Sequence, residues 1–184
     1  MLLAASKRLL AAGCVQTNAL LKNELKRKDY KNKRAQMSNV TIVKGDLFSA
    51  PKGSIICHAC NTYGVWGAGI AKQFAKRYPR AYEKYRQECQ DFEEVLLGSC
   101  LLIEEIDYNI GCLFTSDNFG SNVDSVERIL SSTERAISDL VCCYGSREPI
   151  HMCKINSGLF GVDWELTKKV LEKFPEQEFT VYEY

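Results

Sequence analysis

The chain has 184 residues, 46% of them hydrophobic and 26% charged, an ordinary globular composition long enough for one domain with a sizeable core. Its formal net charge of +1 argues neither for nor against a polyanionic partner. The charge is uneven: residues 1–36 carry nine Lys/Arg against Glu24 and Asp29, a net of +7, which leaves −6 for the rest. An acidic body is unlike a general nucleic-acid binder, although backbone donors can still hold a small phosphate ligand.

The first stretch, Met1 to Gly13, is apolar with Lys7 and Arg8 at its centre. It is too short and too charged to span a bilayer. It is rich in alanine and leucine and free of acids up to Glu24, which fits a mitochondrial presequence, although arginine is sparse. Two other readings stand beside that one. Met37 immediately precedes the first strand-like run, so residues 1–36 can be an extended translation start, or they can be a basic flexible arm. They are set apart as an N-terminal extension, and residues 37–184 are taken as the folded domain. A cytoplasmic or nuclear location is expected, or a mitochondrial one if 1–36 is a presequence.

From Val40 to Val43 the chain is β-branched and strand-like, and it breaks at Lys44-Gly45-Asp46-Leu47-Phe48. Pro51 and Gly53 mark a loop before the next strand, Ile55 to Ala59. A helix is expected from about Gly69 to Tyr78, with Ile70, Phe74 and Tyr78 on its apolar side and Lys72, Lys76 and Arg77 opposite, ending at Pro79. A second helical pattern runs through Tyr82, Tyr85 and Cys89. Leu101 to Ile103 and Ile110 to Phe114 read as strands joined by an acidic turn, and Asp124 to Cys143 as a long helix. Ile150 to Ile155 is the next strand. Asp163 looks like an N-cap for a helix reaching Phe174 before Pro175, and Phe179 to Tyr182 closes the chain as a strand. Strands alternating with helices at these lengths argue for an α/β sandwich around a mixed or parallel sheet.

Two glycine loops each follow a strand and precede a helix: Asn61 to Ala71, and Asn156-Ser157-Gly158-Leu159-Phe160-Gly161. Strand, glycine loop and helix is the arrangement by which backbone N–H groups receive an anion, usually a phosphate. The dinucleotide spacing G-x-G-x-x-G is absent, since Gly67-Ala68-Gly69 continues as Ile70-Ala71-Lys72, and no P-loop motif occurs. A nucleotide or pyrophosphate binder of another kind is implied; the alternative is a tight β-to-α turn and nothing more. In open α/β sheets ligands sit at the carboxyl ends of the strands, where both loops would converge.

Nine cysteines, at 14, 57, 60, 89, 100, 112, 142, 143 and 153, form no repeated spacing. Cys57-x-x-Cys60 has no second pair at zinc-finger distance, and most of the others sit in apolar runs, where free cysteine behaves as a small core residue. A reducing compartment is the natural inference. No metal constellation is visible, so metal-independent chemistry is expected, with no cofactor.

These residues resemble the macrodomain family of ADP-ribose binders, from about residue 38 to Tyr184. The pieces stand in family order: Gly45-Asp46-Leu47, then Asn61 with Gly67-Ala68-Gly69-Ile70-Ala71, then Asn156 to Gly161, then Val181-Tyr182. Within the family the set is most similar to phosphatases of ADP-ribose 1″-phosphate. That likeness rests on His58-x-x-Asn61, Trp66 before the glycines, Cys112 to Ser116, Ile155 to Val162 and Phe179 to Tyr182. The phosphatase it most resembles begins where Met37 stands, which favours reading 1–36 as an extension. The resemblance implies a three-layer α/β/α sandwich with a mixed, largely parallel central sheet. It also implies removal of phosphate from ADP-ribose 1″-phosphate, a by-product of tRNA splicing, by a monomer with a small-molecule substrate and no nucleic-acid or membrane partner.

Site roles follow from the resemblance. Asp46 would accept a hydrogen bond from the adenine amino group with Leu47 beside it, or be a turn aspartate after Gly45. Tyr182 would pack on adenine, or only on the core. Asn61 would hold the distal ribose, since an amide can donate to and accept from its hydroxyls. Gly67 to Ile70 and Ser157 to Gly161 would wrap the diphosphate, and Phe160 would cover the ribose. His58 would direct water at the 1″-phosphate or protonate the leaving oxygen, or else be a satisfied half-buried histidine. Asp117 is the second acid/base candidate. Family members that cleave ADP-ribose from glutamate use a lysine after the fifth strand-like segment and an aspartate in the second loop. Here those places read Thr115-Ser116-Asp117-Asn118 and Gly158-Leu159-Phe160. An ADP-ribosyl ester hydrolase and a non-catalytic ADP-ribose reader are the alternatives.

Overall fold

The structure, a computed structural model, describes residues 38–144 and 149–183. The readings placed on residues 1–36 lie outside the described residues. Six strands form one sheet: β1 (Val40–Lys44), β2 (Ile55–Asn61), β3 (Cys100–Glu104), β4 (Asn109–Ser116), β5 (Ile150–Cys153) and β6 (Phe179–Glu183). Their order is β1-β6-β5-β2-β4-β3. All neighbours are parallel except β3, which runs antiparallel to β4. The sheet is thus mixed and largely parallel.

Four helices cover it: α1 (Gly69–Arg77), α2 (Pro79–Phe92), α3 (Val126–Tyr144) and α4 (Trp164–Leu171). Phe74 of α1 and Ala81, Tyr85 and Cys89 of α2 pack with Ile56, Cys60, Ile110, Cys112 and Phe114. Ala136, Ile137 and Leu140 of α3 and Leu171 of α4 pack with Cys57, Leu113, Met152 and Val181. The alternation along β4, with Cys112 and Phe114 to one side and Leu113 to the other, follows from the strand's period of two. Covered on both faces, β4 is buried from Ile110 to Ser116, as a central strand of a parallel sheet must be. The three-layer α/β/α sandwich is therefore present.

Element ends differ from the sequence reading where a side chain or a turn captures the backbone. The long helix begins at Val126 rather than Asp124, because the Asp124 carboxylate is occupied accepting from Ser116 Oγ and the Asp117 N–H. β5 stops at Cys153 rather than Ile155, because the Ile155 N–H turns back onto Cys153 O at 2.7 Å and Asn156 takes φ 64°. Asp163 does cap α4, accepting from the Glu165 N–H at 3.0 Å, but α4 ends at Leu171 and not at Phe174. No helix among the described residues is long and apolar enough to cross a membrane.

Candidate ADP-ribose cleft

The carboxyl ends of β1, β6, β5 and β2 lie side by side, and the two glycine loops rise from β2 and β5. Two adjoining cavities open there. The first, of about 340 Å³, is lined by Ala59, by Ala68 to Ala71 of the first loop and α1, and by Cys153 to Asn156 and Gly158 to Phe160 of the second loop. The second, of about 470 Å³, is lined by Gly45, Leu47, Phe48, Gln73, Arg77 and Tyr182. Gly69, Ile70 and Cys153 line both, so the two form one cleft. Each is within the size of a small-molecule site.

The walls are built to receive an anion. The first backbone bond of α1 runs from Lys72 N–H to Ala68 O at 3.1 Å, which leaves the N–H groups of Gly69, Ile70 and Ala71 ahead of it free at a helix N-terminus. Gly69 takes φ +54° with open space where a Cβ would stand. In the second loop, Gly161 N–H bonds Gly158 O at 3.0 Å and Val162 N–H bonds Asn156 O at 3.1 Å. That closure turns Gly158, Leu159 and Phe160 toward the cleft. Asn156 anchors it from beneath: its amide accepts from Thr115 Oγ1 and donates to Thr133 Oγ1, both at 2.9 Å. Ser157, whose Oγ bonds Ile155 O at 3.5 Å, and Gly161 shape the loop without lining the cavity.

At the other end, Asp46 stands beside the second cavity with its side chain about one-third exposed. Its Oδ1 accepts from the Phe48 N–H at 3.0 Å and its Oδ2 lies 3.6 Å from Arg77, whose guanidinium sits 4.2 Å over the Phe48 ring. Tyr182 lines the wall, and its hydroxyl is 3.1 Å from His151 Nδ1. Burial raises the Tyr182 hydroxyl above its ordinary pKa and lowers that of His151.

Several expected residues are placed elsewhere. His58 is 0% exposed, stacked on Phe74 with ring centroids 4.2 Å apart and edge-on to Trp66 at 4.7 Å. It faces α1 with Ile56 and Cys60, because strand positions two apart share a face. It lines neither cavity, so the structure does not bring it together with the cleft residues. Asp117 is 5% exposed, and its carboxylate is committed to Arg128 and to Thr62 Oγ1. It organises the loop after β4 and is likewise not a cleft acid. Asn61 spends its amide within its own turn, donating to Val65 O at 2.8 Å and accepting from the Val65 N–H and from Tyr85 Oη, both at 3.2 Å. Trp66 is a core residue stacked on Tyr82 and Tyr85, and Gly67 lies outside both cavity walls.

The sequence reading passed over Gln73, Arg77, Cys153 and Lys154, all cleft-lining. Arg77 is exposed, as its place on the polar side of α1 implies, and its guanidinium also covers the Phe48 ring at the cleft. Lys154 directly precedes the second loop and pairs with Glu183, whose carboxyl it holds below the usual range by hydrogen bond and charge. Burial pushes the Cys153 thiol up to about 12, so it lines the cleft as a neutral thiol.

A family profile described as Macro domain matches residues 57–171. The chain belongs to the macro domain family. An ADP-ribose 1″-phosphate phosphatase of Lodderomyces elongisporus is 41% identical over 160 residues, spanning 78% of this chain and 97% of that protein. The phosphatase of the same name from Saccharomyces cerevisiae is 37% identical over 177 residues, spanning 80% and 99%. Among solved structures, the macrodomain of Mycobacterium tuberculosis DarG superposes with TM-score 0.62 at 22% identity, covering 79% of this macro domain chain and 97% of that one. Thermosipho africanus DarTG in complex with ADP-ribose superposes with TM-score 0.65 at 20% identity, covering 79% and 42%. At such identities these two speak to the macro domain fold alone.

Proposed function

We propose that this macro domain hydrolyses ADP-ribose 1″-phosphate to ADP-ribose and inorganic phosphate. One observation carries the reading: the chain spans nearly the whole length of fungal relatives named for that reaction and keeps both glycine loops facing one cleft. Adenine would enter the cavity between Tyr182, Phe48 and Leu47, with Asp46 at its edge. The diphosphate would lie against the N–H groups of Gly69 to Ala71 and Gly158 to Phe160. Phe160 would cover the distal ribose. The scissile phosphate would then sit near the loop donors, which stabilise charge on its oxygens as water attacks phosphorus, the bond from phosphorus to the ribose oxygen breaks, and a proton of the attacking water passes to that oxygen. Held this way, the reaction needs no metal ion. With His58 and Asp117 committed elsewhere, catalysis rests on positioning and backbone electrostatics.

A second reading, a non-catalytic ADP-ribose reader, is favoured by one observation: among the described residues, Lys154 and Cys153 are the only titratable ones lining the first cavity. The full chain incubated with ADP-ribose 1″-phosphate in a chelator separates the two. Release of phosphate supports the hydrolase. ADP-ribose binding without release supports the reader.

A further inference from the structure

We propose that His58, Cys60 and Cys112 form a buried, three-coordinate site for a thiophilic d10 cation, zinc or copper(I), which pins β2 to β4 beneath α1. The inference is independent of the functional reading above. In the parallel register His58 lies directly opposite Cys112, and Cys60 is two positions further along β2 on the same face. Cys60 Sγ is 3.6 Å from His58 Nδ1 and 3.7 Å from Nε2, and one ligand atom from each of the three residues falls within 4.8 Å of the others. Bonds of about 2.3 Å to sulfur and about 2.0 Å to imidazole nitrogen place such atoms about 3.5–3.7 Å apart. His58 and Cys60 already stand at that spacing, and Cys112 has to close in from within 4.8 Å.

Two further observations point to a cation. His58, Cys60 and Cys112 are at most 1% exposed, and Cys60 is the only side chain at hydrogen-bonding distance from the His58 ring among the described residues, a poor return for burying an imidazole. The Trp66 Nε1–H, also buried, meets no well-aligned acceptor; the Cys60 sulfur beside it is its one hydrogen-bonding neighbour among the described residues. A metal-bound Cys60 thiolate would make that sulfur an anionic, stronger acceptor for the N–H, as outer-shell donors find around metal-bound sulfur. Two sulfurs and one imidazole are a soft donor set that selects zinc or copper(I) over calcium or magnesium. Binding would release the two thiol protons to solvent; zinc would neutralise both thiolates left in the core, and copper(I) one of the two. With Phe74 and Trp66 sealing the site, loading would accompany folding.

The test is the metal content of the full chain expressed in medium supplemented with zinc or, separately, copper. After gel filtration one equivalent of zinc or of copper should remain, and the two media decide which. X-ray absorption at that metal's edge should show two sulfurs and one nitrogen. Cys112→Ala should retain less than a tenth of an equivalent, whereas Cys142→Ser/Cys143→Ser, which removes the exposed pair on α3, should retain the full equivalent. Less than a tenth of an equivalent in the unmodified chain from both media would overturn the proposal. So would a full equivalent in Cys112→Ala. Should that variant fail to fold, a first shell without two sulfurs in the unmodified protein overturns it.

Discussion

Gly111 shows how little room the central strands leave. It is paired with Cys57 across β2 and β4, and a Cβ built there would stand 2.4 Å from Cys57 Sγ. Gly111→Ala is therefore expected to lower stability by about 1–3 kcal/mol through overpacking, read as a lower midpoint in denaturant. An unchanged midpoint would mean that β4 shifts freely, against the packing described. Asp46 is a residue with two claims on it. Asp46→Ala removes the acceptor of the Phe48 N–H, and with it about 1 kcal/mol of stability. If the carboxylate also receives the adenine amino group, affinity for ADP-ribose falls by a further ~1–3 kcal/mol, while affinity for ribose 5-phosphate, which lacks adenine, does not. Calorimetry with both ligands checks this, and equal losses would remove the adenine role.

At the scale of elements, the first glycine loop and α1 carry the anion site as one unit. Gly69 combines φ +54° with a place in both cavity walls. Gly69→Ala should strain the backbone by about 1–2 kcal/mol and turn a methyl group toward the cleft, weakening ADP-ribose by about tenfold, ~1.4 kcal/mol. Unchanged affinity in a titration would place the diphosphate elsewhere. All six strands and four helices were legible from period and punctuation, because Pro79, the two glycine loops and Asp163 mark real boundaries. What was not legible came from tertiary capture. Nothing local says that the Asp124 carboxylate will be held by the loop after β4, or that the exposed Arg77 will lay its guanidinium over the Phe48 ring. His58 is a different case. Its burial was readable, since Ile56, His58 and Cys60 share one face of a strand whose neighbours Ile56 and Cys60 are core residues, but the family motif drew the reading toward chemistry.

For the whole molecule, the pH dependence of stability has a defined lower edge. Burial lowers the His151 pKa from 6.5, so the folded state holds fewer protons than the unfolded one between the two values. Stability then rises with pH through that window, is complete above about 6.5 and is lost as pH falls below it. Thermal midpoints measured from pH 8 to pH 5 should decline below pH 6.5, and His151→Gln should flatten that decline; an equal decline in the variant would assign it to other groups. Conversion of ADP-ribose 1″-phosphate in the cleft between the two glycine loops decides whether this macro domain acts as an enzyme. It is tested most directly by incubating the full chain with that compound in EDTA and measuring free phosphate, with Gly69→Ala alongside. Release should persist in chelator and fall in the variant. No release from a folded chain that binds ADP-ribose would contradict it.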